Sequence, residues 1–229
     1  MKFTNHPTVA IYRRGFLPLS ETFISDHIHN LNRYKPIIIT ERLLNGMMID
    51  GYVPHLMHRS QAGRYEKLYS RLTGNYRHIG NLLSEPRTRL IHAHFLQDGA
   101  SILPLAARRG IPLVVTAHGY DATVTVREHA RRTEGLWYLA LKPFLQRYVH
   151  GVICVSQWIK QCLLEAGYPE EKLRVIPLGI DTASLPHPPS TERRRGTLFV
   201  GRLVEKKGVN YLLDAWAQLP ARARSEPLT

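Results

Sequence analysis

Residues 90–121 read LIHAHFLQDGASILPLAARRGIPLVVTAHGYD, and the fold is decided here. Leu90-Ile91-His92-Ala93-His94 is a short apolar run that ends in histidine. Gln97 to Arg109 carries apolar residues at helical spacing (Ile102, Leu105, Ala106), and Gly110 stops the pattern. Ile111 to Thr116 is an uninterrupted apolar run, as in a strand buried on both faces of a parallel sheet. Pro112 belongs at that strand's start, since proline cannot donate to a ladder. Parallel strands joined by one helix end on the same edge of the sheet. His94 and the turn His118-Gly119-Tyr120-Asp121 are therefore expected together on the carboxyl edge, where open α/β sheets bind ligands.

Toward the amino terminus, Thr8 to Tyr12 reads as a first buried strand, followed by a loop from Arg13 to Leu19 that contains Gly15. Ser20 is a good N-cap, Glu21 in the first turn suits the helix dipole, and Phe23, Ile24, Ile28 and Leu31 form a helical apolar face. Strand, glycine loop and helix start can hold an anion. There is no G-x-G-x-x-G and no Walker lysine, so Gly15 fits a plain βα turn equally well. Lys35 to Arg42 is a second strand. Residues 43–63 are expected as a loop with a short strand near Val53. Arg64 to Leu83 is a helix interrupted at Gly74, with Tyr65, Leu68, Tyr69 and Leu72 on one side and Arg64, Lys67 and Arg71 elsewhere. Such a helix either lies on an anionic membrane or packs on the sheet.

Beyond the central stretch, Ala122 to Ala130 and Glu134 to Tyr148 read as helices. Gly151 to Val155 is a buried strand, Ser156 caps the helix Gln157 to Ala166, and Leu173 to Ile176 is a strand. Pro186-His187-Pro188-Pro189-Ser190 marks a boundary. The pattern then restarts with a strand at Thr197 to Val200, a loop from Gly201 to Gly208 and a helix from Val209 to Leu219. The expected organisation is α/β: a Rossmann-like doubly wound domain over 1–185, a linker over 186–195, and an incomplete second Rossmann-like domain over 196–229, ending in an unstructured tail.

At 44% hydrophobic and 21% charged residues, the 229-residue chain has the composition of a soluble globular protein. No run of 18 apolar residues offers a membrane span, and the first residues lack the apolar core of a signal peptide, which predicts a cytoplasmic start. Cys154 and Cys162 show no metal spacing or disulfide framework. The 31 basic and 18 acidic side chains give a net charge of +13. That excess fits an anionic membrane surface or a phosphorylated ligand, or arginines on solvated faces. No nucleic-acid module is present, and none is expected as a partner.

Three segments carry a resemblance: Leu19-Ser20-Glu21-Thr22-Phe23-Ile24; His92-Ala93-His94 with Thr116 to Asp121; and Val155-Ser156 with Val175 to Asp181, followed by Phe199-Val200-Gly201-Arg202-Leu203-Val204-Glu205-Lys206-Lys207-Gly208. Over roughly residues 6–219 the chain resembles the amino-terminal half of a family 4 glycosyltransferase of the GT-B architecture. The first segment is similar to bacterial exopolysaccharide transferases of the colanic acid and amylovoran type.

The resemblance implies retaining transfer of a sugar from a nucleotide sugar to a polysaccharide or lipid-linked acceptor, on the inner face of the membrane. It implies that His118 touches the donor sugar, that Arg202 and Lys207 grip the donor diphosphate, and that Gly15 lets backbone approach the donor. Ser20, Glu21, His94 and Asp121 are candidates for the acceptor cleft. No metal and no cofactor are expected. The family's two glutamates, seven residues between them, would lie beyond Thr229, so a truncated chain, inactive by itself, is expected. The turn Leu178-Gly179 also lacks the asparagine of many relatives. Alternatives stay open: a non-catalytic acceptor-binding half or a pseudogene fragment; His92, His94 and His118 as metal ligands with Asp98 or Asp121; His92 as a satisfied core histidine; Arg202 and Lys207 as a solvated loop; Asp181 and Ser156 as turn and cap residues.

Overall fold

The computed structural model describes residues 6–16, 18, 21–44, 49–58, 62–83, 88–183, 196–220 and 228. The chain divides into two compact units, Met1–Gly179 and Ile180–Thr229.

The strands of the first unit are β1 (Thr8–Tyr12), β2 (Gly15–Phe16), β3 (Lys35–Thr40), β4 (Arg42–Leu43), β5 (His55–Leu56), β6 (Thr88–His94), β7 (Leu113–Ala117), β8 (Gly151–Cys154) and β9 (Leu173–Val175). Seven of them form one sheet in the order β5-β3-β1-β6-β7-β8-β9, every pairing parallel. The short β2 and β4 pair separately. The helices are α1 (Thr22–His29), α2 (Arg64–Thr73), α3 (Gly80–Leu83), α4 (Leu96–Arg109), α5 (Tyr120–Thr123), α6 (Val126–Ala130), α7 (Thr133–Tyr148) and α8 (Gln157–Glu165).

From β1 the chain steps through α1 to β3 on one side; from β6 it steps through α4 to β7 on the other. Right-handed crossovers then place α1 and α4 on opposite faces. The core confirms this, because alternate residues of β1 belong to different clusters. Val9, Ile11 and Ile38 pack with Ile24 and Ile28 of α1. Ala10, Tyr12, Ile37 and Ile39 share a cluster with Leu105 and Ala106 of α4. The β1/β6 boundary is thus the switch point of a doubly wound sheet, as expected.

Two close approaches set the packing around α4. A side chain at Gly99 would bring its Cβ to 2.5 Å from Val115 Cγ2, so α4 lies tight against β7. Gly74 ends α2 at φ 68°, and a Cβ there would sit 2.2 Å from the Pro104 carbonyl oxygen of α4.

Several expectations shift. The strand placed near Val53 forms at His55–Leu56, where it pairs with Ile39 and Thr40. The helix expected over Ala122 to Ala130 is two, because Val124 is extended and Thr125 opens α6 with a complete capping box to Glu128. Glu21 is the N-cap of α1 rather than a first-turn residue, and its side chain makes no cap bond. The expected cap Ser20 and the Pro186 to Ser190 linker lie outside the described residues.

In the second unit, Val209–Ala217 forms the expected helix, α9, after Gly208 at φ 70°. The strand expected at Thr197 to Val200 has, among the described residues, only an isolated parallel bridge from Thr197 to Leu228. A strand exists through its ladder, and the described residues of this unit supply no other pairing. The tail expected to be unstructured is otherwise outside the described residues.

Candidate functional site

The carboxyl edge around the β1/β6 switch point is polar where the rest of the sheet is aliphatic. On the face covered by α1, Leu90 packs in the core, but His92 and His94, the next residues of β6 on that face, are histidines. Their rings stack, with centroids 4.8 Å apart. His92 Nε2 is 2.7 Å from Thr116 Oγ1 on the neighbouring strand β7, so His92 is satisfied within the core. His94 Nδ1 lies 3.0 Å from Nε2 of His118, which follows β7, and its Nε2 lies 3.4 Å from Nδ1 of His27 on α1.

His118 is flanked by Phe23 of α1 and by Phe95, with ring centroids at 4.5 Å and 4.7 Å. Its Nδ1 is buried and, among the described residues, has no hydrogen-bond partner. Burial pushes the His118 pKa down to about 4, helped by the nearby Arg13 charge and His27. Burial likewise takes His92 to about 3 and lowers His94 and His27. The rings are therefore neutral at pH 7, each with one N–H. Their order fixes the tautomers jointly. If His27 donates to His94 and His94 to His118, the spare Nδ1 of His118 carries the proton and donates; if the chain runs the other way, that nitrogen accepts. Either way, Nδ1 of His118 is a polar atom left without a partner among the described residues.

Asp121 is what holds this edge together. Its carboxylate accepts from the backbone N–H of Leu96 at 2.9 Å, of His118 at 3.0 Å and of Gly119 at 2.9 Å. The turn expected at His118 to Asp121 is the entry to α5, made possible by Gly119 at φ 129°. Burial raises the Asp121 pKa to about 6, against the lowering effect of its backbone hydrogen bonds.

A second cluster stands at the switch point. Arg13, directly after β1, donates from Nε and Nη2 to both oxygens of Glu21 at 2.8 Å and from Nη1 to Asp98 of α4 at 2.8 Å. Asp98 also accepts from the Arg14 N–H at 2.8 Å. Burial opposes the Arg13 charge, but its bonds to Glu21 and Asp98 outweigh it and raise the pKa. The guanidinium lies 4.6 Å from the centre of the Phe95 ring. Phe95 has φ 73°, a strained backbone for a non-glycine residue. It caps α4 and turns its ring between Arg13 and His118.

His94, His118, Asp121 and Glu21 are thus drawn into one edge of the first unit. Gly15 lies in β2, buried, and the side of its Cα where a Cβ would stand faces Leu44 Cδ1 at 3.1 Å and Arg42 at 3.3 Å. Arg202 and Lys207 are exposed in the second unit, Lys207 closing a short 3-10 turn. Ser156 caps α8 by accepting from the Ile159 N–H at 3.2 Å, and Asp181 accepts from the Ala183 N–H at 3.0 Å in a turn.

The group that could hold a metal among the described residues differs from the one open in the sequence. It is His27, His92 and His94, with ligand atoms within 4.8 Å of one another. Asp98 is engaged by arginines and Asp121 by backbone, so neither carboxylate completes it. His27 escaped the sequence reading, although it stands four residues after Phe23 and so shares its helix face. Arg13 and Phe95 carried no signal of their own, since a cation or an aromatic after a strand is commonplace.

The glycosyltransferase family 4 model matches residues 42–184. The chain is 29% identical over 153 residues to YqgM of Bacillus subtilis, described as an uncharacterised glycosyltransferase, covering 65% of this chain and 41% of that protein. Among solved structures, Anabaena HepE in complex with UDP and glucose superposes with a TM-score of 0.65 at 16% identity, over 94% of this chain and 59% of HepE. The apo form of WaaB, a lipopolysaccharide outer core galactosyltransferase, gives 0.58 at 13% identity, over 97% and 59%. The chain therefore spans between two fifths and three fifths of these relatives, and the structural likeness is one of fold, the Rossmann-like GT-B architecture. With its model matched over more than half of the sequence, the chain belongs to glycosyltransferase family 4.

Proposed function

We propose that the chain acts as the amino-terminal, acceptor-side half of a retaining glycosyltransferase. It would move a sugar from a nucleotide sugar to a polysaccharide or lipid-linked oligosaccharide acceptor at the inner face of the membrane. The observation that carries this reading, beside the family match, is a neutral His118 with one uncommitted nitrogen at the sheet's carboxyl edge. HepE was solved with UDP and glucose, and WaaB is a lipopolysaccharide galactosyltransferase. Both support a nucleotide-sugar donor and a saccharide acceptor.

In this reading, His118 hydrogen-bonds a hydroxyl of the donor sugar. The bond from the anomeric carbon to the diphosphate oxygen breaks, a bond to the acceptor oxygen forms on the same face, and the acceptor's proton passes to the departing diphosphate oxygen. The departing nucleoside diphosphate gains negative charge, which Arg202 and Lys207 stabilise without a metal ion. Both domains must close to bring acceptor and donor into attack geometry.

The test is release of nucleoside diphosphate from common nucleotide sugars. It compares the 229-residue chain alone with the same chain joined to, or mixed with, a complete donor-binding domain. The chain alone is expected to give none above background, and the completed protein to turn over. His118→Ala should lower its kcat/KM by about 100-fold, as for loss of one transition-state hydrogen bond. Turnover by the chain alone would end the half-enzyme reading, and turnover indifferent to His118→Ala would end the role of that residue.

A further inference from the structure

Helix α2 wears its apolar side outward. Tyr65, Leu68, Tyr69 and Leu72 fall at i, i+3, i+4 and i+7 and so share one stripe. They are between 48% and 88% exposed. Ser70, on the far side of the helix, is its buried residue. The helix is attached to the fold near its carboxyl end. Arg71 pairs there with Glu41, and the left-handed Gly74 sits against the Pro104 carbonyl of α4. The first two turns stand clear.

Charge borders the stripe. At about 100° per residue, Arg64, Lys67 and Arg71 line one margin of the apolar residues, while the only acid of the helix, Glu66, falls away from that margin. Arg64 and Lys67 are exposed. The whole chain carries a charge of +13. A helix of 10 residues is about 15 Å long, and four side chains on it cover far less than the roughly 800 Å² per partner of a stable protein interface. A bilayer asks for no matching shape. It accepts leucines among its acyl chains and tyrosines at the headgroup level, and anionic headgroups meet the bordering cations.

We propose that α2 is the membrane-docking element of this protein, lying in the surface of an anionic bilayer with Tyr65, Leu68, Tyr69 and Leu72 inserted and Arg64 and Lys67 on lipid phosphates. The proposal rests on the peripheral placement given above but not on the transfer chemistry, which has its own assay. Two features of α2 agree on it: an apolar stripe turned away from the core and a cationic margin beside it.

The test is sedimentation of the full chain with phosphatidylcholine vesicles, with and without phosphatidylglycerol, across a salt series. The wild type should bind the anionic vesicles and be released as salt screens the attraction. The triple variant Tyr65→Ser, Leu68→Ser, Leu72→Ser should lower partitioning by at least about tenfold, with an unchanged circular dichroism spectrum. Arg64→Gln with Lys67→Gln should weaken binding and flatten its salt dependence. If the wild type binds and the triple variant binds equally well, α2 is not the docking element, though peripheral placement survives. Wild-type binding to neither vesicle overturns both, and equal binding to neutral vesicles removes the electrostatic part. A dimer in analytical ultracentrifugation that the triple variant dissolves would make a second copy the occupant and overturn the proposal.

Discussion

Helices α2 and α4 are built alike and used oppositely. Both carry apolar residues at helical spacing, and both end on a glycine in the left-handed region. Along α4, Leu96, Ile102, Leu105 and Ala106 are buried, and Gly99 lets the helix settle onto β7. Along α2, the large apolar residues are exposed and only Ser70 is buried. What separates them is how closely each is seated. Gly99 brings α4 against Val115 of β7, whereas α2 buries only Ser70 and, among the described residues, is held near its end by the Arg71–Glu41 pair and by Gly74 against α4. Periodicity names a face, and the fold decides whether anything covers it.

The contrast can be broken most sharply from the inside. Asp98 sits in the first turn of α4, buried, and accepts from Arg13 and from the Arg14 N–H. Asp98→Ala leaves the Arg13 charge short of a partner in a buried setting, which typically costs about 3–5 kcal/mol. Urea unfolding should show that loss, and a loss below about 1 kcal/mol would mean that α4 is not anchored there.

A smaller effect comes from pH. Burial first of all holds His92 near 3 and His118 near 4, while an unfolded histidine titrates near 6.5. Within that window the unfolded chain binds more protons than the folded one, so stability falls as pH drops below about 6.5. Asp121, raised to about 6, works in the opposite sense, since the folded state binds its proton more readily below that value. As one carboxyl against several rings, it offsets part of the loss. Lowering the pH from 7.5 to 5.5 should cost on the order of 1 kcal/mol per buried ring before that offset. A urea midpoint that does not move, or rises, would contradict the neutral histidine stack.

Smallest of all should be Leu68→Ser on α2, within about 0.5 kcal/mol of wild type, as for a surface position. If thermal unfolding shows a penalty as large as that of a core leucine, the stripe is covered in the isolated protein and the contrast with α4 disappears.

The sheet was legible because its signal is local. Apolar runs of strand length, each followed by a helical period, announced β1, β6, β7 and β8, and Gly110 and Gly167 closed the helices after β6 and β8. His94, His118 and Asp121 could be placed on one edge because parallel strands leave no other choice. The capping box that begins α6, Thr125 with Glu128, was local too, but it lies inside a stretch that reads as one helix and was passed over. Two things were not local. The partnership of Arg13, Glu21 and Asp98 joins residues up to 85 positions apart, and no spacing rule connects them. His27 enters the site only because α1 crosses over β6. In the second unit the pattern of Thr197 to Val200 was that of a strand, but a pattern is not a ladder.

One carboxylate has a wider effect than its size implies. Asp121 receives the first amide of α4 and the two amides that enter α5, so two successive crossover turns share a single rivet. Neither turn can slide without dragging the other, and the gap between His94 and His118 is set by a residue that belongs to neither strand. A guest that pushed His118 aside would also have to tug on the start of α4. The rim thus behaves as one stiff piece, better suited to offering a fixed atom to whatever arrives than to folding itself around it.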